Sequence, residues 1–348
     1  MPPSDLNTPF ASVPFVPHPL LRGGHAQTVA GVYLPSVAFS YRAQQHRVPL
    51  ADGDQLVLHD DRPTNWRDGD FTVMMIHGLG GTHLSGYMRR IAGRLCQLGV
   101  RAFRLDLRGA GAGASLAKLP YHSGRSDDAA AALEYIAKLC PGSPTAVIGF
   151  SLGGNIVLKL LGETGEKDCG NLVAGLAIAP PVELETCCQR IQERDNRIYD
   201  RRFVRLLINQ HYERLRRVPG TPPMPFQRRP RTLLELDDSF TGPINGFGNA
   251  ENYYRACSSN LFVPGIRKPT LIITAADDPI IPVEIFARLD RPASVSLHIA
   301  AGGGHLGFIS RGGADPDRRW MDWRILDWVR QQAKLCENRL DDLARNVG

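Results

Sequence analysis

From Arg47 onward, short apolar runs alternate with stretches of helical periodicity, and this alternation limits the possible folds more than any other feature of the chain. The runs are Gln55–His59, Phe71–Ile76, Val100–Leu105, Thr145–Phe150, Leu172–Ala177, Thr270–Thr274 and Ser294–Ala300. Helical stretches fall at Gly86–Leu98, Asp127–Leu139, Gly153–Gly162, Val283–Leu289 and Arg318–Lys334. Runs that are apolar on both faces, separated by helices, predict an α/β fold with a mostly parallel sheet covered on both sides. Ser126 before Asp127 and Asp128 reads as a helix start, because a hydroxyl can cap free amides and acids favour the positive helix end.

The alternation breaks once. After Pro180-Pro181 some 85 residues pass before the next strand, and Glu183–Arg217 reads as two or three helices followed by a loop over Pro219–Arg231. A connection that long inside a compact domain is usually a functional element or a subdomain. The first 45 or so residues are rich in proline and turn formers and carry no periodicity. The expected organisation is a strap over 1–46, a core over 47–181 and 265–348, and an inserted cap over 182–264.

Gly149-Phe150-Ser151-Leu152-Gly153 lies between the strand Thr145–Ile148 and the helical run Gly154–Leu161. This is G-x-S-x-G in the strand–turn–helix context that gives the pattern meaning. A serine in so sharp a turn needs neighbours without Cβ bulk, and the turn lifts its hydroxyl off the sheet and aims a helix N-terminus at it. The partners of such a serine follow in the order acid, histidine, each just after a strand.

Asp277-Asp278-Pro279 follows Thr270–Thr274, and Gly302-Gly303-Gly304-His305-Leu306-Gly307 follows Ser294–Ala300. His305 is the candidate base. The acid is Asp277 or Asp278, and Asp278 is the better placed to fix the histidine tautomer, with Asp277 a turn cap. His77-Gly78-Leu79-Gly80-Gly81 follows another strand directly, so the Leu79 amide, with that of Leu152, is the candidate oxyanion site. His77 itself reads as structural, and His25 as a structural hydrogen-bonding residue.

Other chemistries find no support. Gly109-Ala110-Gly111-Ala112-Gly113 has its third glycine misplaced for a dinucleotide loop, there is no Walker A sequence, and no clustered Cys/His set suggests a metal. No cofactor is expected. At 43% apolar and 22% charged residues the composition is ordinary globular, which excludes disorder. The longest apolar stretches fall short of the ~18–20 residues that cross a bilayer. A proline-rich N-terminus unlike a signal peptide and seven cysteines without zinc-type spacing suggest a reduced, cytoplasmic protein.

The net charge of +6 is uneven, since Gln189–Arg231 holds twelve arginines and no lysine against Glu193, Asp195, Asp200 and Glu213. That segment matches no nucleic-acid module. It reads as a solvated helix face with local pairs, or else as a surface for an acidic substrate or an anionic lipid layer. Phe203, Val204, Leu206, Leu207 and Ile208 within it read as packing between cap and core, or as a pocket lining.

Several further segments carry a resemblance. His18-Pro19-Leu20-Leu21-Arg22-Gly23-Gly24-His25-Ala26-Gln27-Thr28, Arg108-Gly109-Ala110-Gly111, Tyr121-His122-Ser123-Gly124, Asp237-Asp238-Ser239-Phe240-Thr241-Gly242-Pro243, Gly246-Phe247 and Tyr253-Tyr254 span nearly the whole chain. With the serine motif they resemble the alpha/beta-hydrolase superfamily, in its YheT-like branch, the AB hydrolase-4 family. The resemblance implies an alpha/beta-hydrolase fold and a serine hydrolase that cleaves carboxylic esters, some of them lipid-like, through an acyl-enzyme intermediate. It implies Ser151, Asp278 and His305 as the triad and a small-molecule or lipid-like ester as the partner. Alternatives on the same residues are an acyltransferase, a thioesterase, or a binding module with an idle triad.

Overall fold

The computed structural model describes residues 10, 12–35, 39–40, 43–226 and 228–346. Most of the strap's first eleven residues, two short pieces near residues 37 and 41, and Gln227 of the loop Pro219–Arg231 lie outside the described residues. A helix α1 (Gly24–Tyr33) comes first, followed by β1 (Gln44–Pro49), β2 (Gln55–Asp61), β3 (Thr72–Ile76), α2 (Gly86–Gln97) and β4 (Arg101–Asp106). Next are α3 (Ser126–Leu139), β5 (Thr145–Phe150), α4 (Leu152–Thr164) and β6 (Leu172–Ile178). The long connection holds α5 (Leu184–Ile191), α6 (Arg197–Arg217), α7 (Leu233–Leu236), a π-helical turn at Asp237–Thr241, α8 (Gly242–Ile244) and α9 (Ala250–Cys257). The chain ends with β7 (Thr270–Ala275), α10 (Glu284–Ala287), β8 (Val295–Ala300) and α11 (Trp320–Asn346).

The strands form one eight-stranded sheet in the order β1-β2-β4-β3-β5-β6-β7-β8. β1 with β2 and β2 with β4 pair antiparallel, and the remaining pairs are parallel. Every expected strand is present within two residues of its expected bounds, and β1 is an addition. Successive side chains of β3 go to opposite cores. Met74 and Ile76 pack with Leu133, Ile156 and Val157 of α3 and α4, while Val73 and Met75 pack with Met88, Ile91 and Ile325 of α2 and α11. This is the period-2 alternation of a sheet buried on both faces.

Two details of the sequence reading change. Ser126 is not a cap: it is the first residue inside α3, and its hydroxyl accepts from Lys159 Nζ at 3.0 Å and donates to Glu163 Oε2 at 2.5 Å. The side chain prefers a nearby ion pair to the free amides of its own helix. The strap, in turn, contains α1, whose buried residues Gln27, Thr28 and Ala30 carry too little apolar pattern to announce a helix.

His298 on the edge strand β8 stacks on Trp320 with ring centroids 5.6 Å apart and meets the Phe10 ring edge-on at 5.2 Å. Neither ring nitrogen has a partner among the described residues, and burial, helped by Arg324, pushes its pKa down from 6.5 to about 4. Between those values the unfolded chain takes a proton that the folded chain refuses, so stability falls as pH drops through that window. We expect His298→Phe to be stabilising by about 2 kcal/mol more at pH 5 than at pH 8. Denaturant titrations at the two pH values check this, and an equal change at both would refute it.

Candidate active site

Parallel pairing brings the C-terminal ends of β3, β5, β7 and β8 to one edge, where open α/β sheets bind ligands. Ser151 follows β5 directly at φ 52° and ψ −120°, a left-handed conformation rare for a residue with a side chain. The glycines around it make the turn possible. A Cβ on Gly149 would stand 2.1 Å from the Gly153 carbonyl oxygen, and one on Gly153 would stand 2.4 Å from that of Ile76. The strained turn is held from below by Ser151 N–H donating to the Ile178 carbonyl at 2.8 Å.

His305 Nε2 lies 2.9 Å from Ser151 Oγ, and His305 Nδ1 lies 2.9 Å from Asp278 Oδ2. The other Asp278 oxygen accepts from the Ile280 and Ile281 amides at 2.8 and 3.0 Å. Asp277 points elsewhere and accepts from the Gly304 amide at 2.8 Å. Of the two adjacent acids, Asp278 therefore faces the histidine and Asp277 shapes the histidine loop.

The loop after β3 sits against the serine, with a hypothetical Gly78 Cβ only 3.1 Å from Ser151 Cβ. The Gly78 amide donates to Tyr87 Oη at 3.0 Å, the Gly80 amide to Tyr121 Oη at 2.6 Å, and the Gly81 amide to the Gly78 carbonyl at 3.0 Å. Between these anchored neighbours the Leu79 amide has no acceptor among the described residues, and nor does Leu152 at the first turn of α4. Both residues line the cavity that holds Ser151 and His305. Two free donors beside a nucleophile are what a developing oxyanion requires. Burial pushes the Tyr121 phenol up to about 12, so it remains a neutral hydroxyl that accepts from Gly80.

Residues 72–311 match the sequence model of the alpha/beta hydrolase fold. The chain belongs to the alpha/beta-hydrolase family. The YheT protein of Escherichia coli K12 is 30% identical over 339 residues, covering 96% of this chain and 98% of its own, which puts the chain in the YheT-like branch. A monoacylglycerol lipase of Saccharomyces cerevisiae is 28% identical over 272 residues, covering 75% of this chain and 59% of its own. Est1E from Butyrivibrio proteoclasticus, solved with ferulic acid bound, superposes with a TM-score of 0.54 at 18% identity, covering 82% of this chain and 98% of its own, a likeness of fold. No helix among the described residues of this alpha/beta-hydrolase is long and apolar enough to cross a membrane.

The cavity above Ser151 encloses about 1040 Å³, its open mouth included. Phe203 and Leu207 of α6 line it, together with Leu236, Phe240, Ile280 and Ile281. The apolar run on α6 divides by helix face: Val204 and Ile208 pack on Leu236 and Phe240, and Leu206 fits against Gly80, where a Cβ would stand 1.9 Å from its Cδ2.

His77 accepts from the Leu107 amide through Nε2 at 3.2 Å, so its Nδ1–H donates to the Gly78 carbonyl at 2.8 Å, and burial pushes its pKa down. It is a neutral brace for the loop. His25 Nδ1 lies 3.1 Å from Tyr199 Oη, linking α1 to α6.

One cluster was not visible in the residue spacing. β2, β4 and the loop after β3 bring His59, His83 and Asp106 within 4.8 Å of one another, a grouping that could hold a metal ion. Asp106 Oδ2 lies 2.9 Å from His59 Nε2 and 2.7 Å from His83 Nδ1, and the same carboxylate takes the His83 and Ala112 amides at 2.7 and 2.8 Å. Burial would raise its pKa, but the hydrogen bonds from the two histidines outweigh it and hold the carboxyl well below the usual range. As arranged, the cluster braces the turn after β4.

Thr28 and Gln27 also escaped sequence reasoning. Thr28 Oγ1 accepts the His305 amide at 2.8 Å, while Gln27 accepts the Ile309 amide at 2.7 Å and donates to its carbonyl at 3.0 Å. Their signal is the His18–Thr28 segment itself, which resembled the family without disclosing a role.

Proposed function

We propose that the protein is a serine hydrolase that cleaves carboxylic esters with an apolar portion through an acyl-enzyme intermediate. Ser151 Oγ attacks the ester carbonyl carbon while its proton passes to His305 Nε2. Asp278 holds the opposite nitrogen and stabilises the imidazolium. The carbonyl oxygen, now negative, lies between the Leu79 and Leu152 amides. Collapse breaks the carbon–oxygen bond and the departing alkoxide takes the proton from His305. Water, deprotonated by the same histidine, then attacks the acyl carbon and releases the acid and Ser151.

In this reading α5 to α9 form a cap that supplies the apolar wall. The observation that carries it is the unbroken path from Asp278 to His305 to Ser151, two contacts of 2.9 Å, ending beneath a lined cavity. The esterase and lipase relatives support it in kind. The deciding experiment is labelling by a fluorophosphonate probe together with hydrolysis of 4-nitrophenyl butyrate; absence of both would end the proposal.

Tyr87 and Tyr121 are positioning residues, since each holds an amide next to Leu79. We expect Tyr121→Phe and Tyr87→Phe each to lower kcat by about 10- to 100-fold, because small displacements of an oriented donor are expensive in rate. KM should stay within about threefold, since a donor that acts on the transition state contributes little to ground-state binding. A rise in KM at constant kcat would instead mean that these tyrosines shape substrate binding.

A further inference from the structure

Most arginines of the basic segment behave as its solvated reading expects. Arg190 pairs with Glu193 and Asp195, and Arg216 and Arg217 pair with Glu213. Arg214 on the same helix does not. It is 2% exposed, lines the cavity that holds Ser151 and His305, and makes no ion pair among the described residues.

Among the described residues its five N–H groups find two acceptors. His211 Nε2 lies 2.9 Å from the Pro222 carbonyl, which can only accept, so that nitrogen carries the proton and His211 Nδ1 receives Arg214 Nη1 at 3.1 Å. Nη2 donates to the Gly109 carbonyl at 3.2 Å, and Nε, fully buried, has no partner among the described residues. The guanidinium lies against the backbone of Gly109, where a Cβ would stand 2.0 Å from Nη2.

Asp54 attracts Arg214 without touching it, its two oxygens being taken by Arg108 and the Lys118 amide. A buried cation with no carboxylate in contact is unfavourable unless an anion joins it, and its planar fork suits carboxylate or phosphate. The carboxyl that lines the cavity, Asp237, makes no ion pair with Arg214 and is engaged by a tyrosine instead. Asp237 accepts from Tyr254 Oη at 2.7 Å, and burial pushes its own pKa up to about 6. Burial draws the Arg214 guanidinium down only to about 10, so it remains charged at neutral pH.

We propose that Arg214 anchors an oxyanion, a carboxylate or a phosphate, carried by the substrate, so that the cavity selects amphiphilic anionic esters; this rests on the reading of Ser151 as the nucleophile above. Phe203 and Leu207, on the same helix, would take the apolar chain.

Calorimetric titration with octanoate, octyl phosphate and octanol tests the anchor without turnover. The native protein should bind at least one of the anions about 10- to 100-fold more tightly than octanol, and whichever binds tighter identifies the carboxylate or the phosphate as the preferred group. Arg214→Gln, which keeps a donor for Gly109, should lose that advantage, and Arg214→Lys should keep part of it. Equal affinity for octanol and both anions in the native protein, or an advantage that survives in Arg214→Gln, overturns the proposal. Should Arg214→Gln fail to fold, salt decides: a preference that persists in about 0.5 M salt is that of a buried cation, and one that vanishes belongs to exposed arginines and also overturns it. Fluorophosphonate labelling, run in parallel, reports on Ser151 alone. Loss of labelling with anion preference intact would refute the nucleophile and leave the anion site standing.

Discussion

Ser151→Ala should lose fluorophosphonate labelling entirely and lower ester hydrolysis by about 10⁴- to 10⁶-fold, the usual consequence of removing a triad serine. The loss would be chemical. The strained backbone at φ 52° is imposed by Gly149, Gly153 and the hydrogen bond to Ile178, none of which involves the hydroxyl. Only the contact to His305 Nε2 disappears. Stability should therefore move by no more than about 1.5 kcal/mol, the value of one hydrogen bond. Thermal unfolding beside the labelling assay separates the two effects, and a variant that still labels would move the nucleophile elsewhere.

Asp278→Asn should cost about 10⁴-fold in kcat, while its neighbour Asp277→Asn should cost less than about tenfold. Asp278 accepts on both sides, from His305 Nδ1 and from the Ile280 and Ile281 amides. An amide side chain has one accepting oxygen. Satisfying the two backbone donors turns its NH₂ toward the imidazole, which favours the wrong tautomer for a base at Nε2. Asp277 needs only an acceptor for the Gly304 amide, and asparagine retains one. Steady-state kinetics on both variants resolve the pair, and equal losses would mean that the histidine loop, rather than the tautomer, limits the rate.

The strands and the serine turn were legible because their signals are local. Thr145–Phe150 is apolar on both faces, and the glycine at 149 is required by a contact within one turn, with the Gly153 carbonyl. Ser151, Asp278 and His305 could be nominated from the strands that precede them. What escaped depends on distant partners. α1 buries a glutamine and a threonine whose hydrogen bonds go to residues 305 and 309, so its own sequence carries no amphipathic pattern. Tyr121 serves a glycine amide that reaches it only after β3 and β4 pair. Arg214 was one of the twelve arginines counted in Gln189–Arg231, and its burial beneath a glycine backbone is invisible in composition.

The attachment of α1 to the histidine loop has a temporal consequence. Gly24 lies so close to Asp277 that a Cβ would stand 1.7 Å from the Asp277 carbonyl oxygen, and one on Gly304 would stand 2.2 Å from the Gly24 carbonyl oxygen. On the ribosome α1 must wait for the histidine loop, made far later in the chain, before either settles. A nascent chain bearing its serine turn would be inert until synthesis has passed His305.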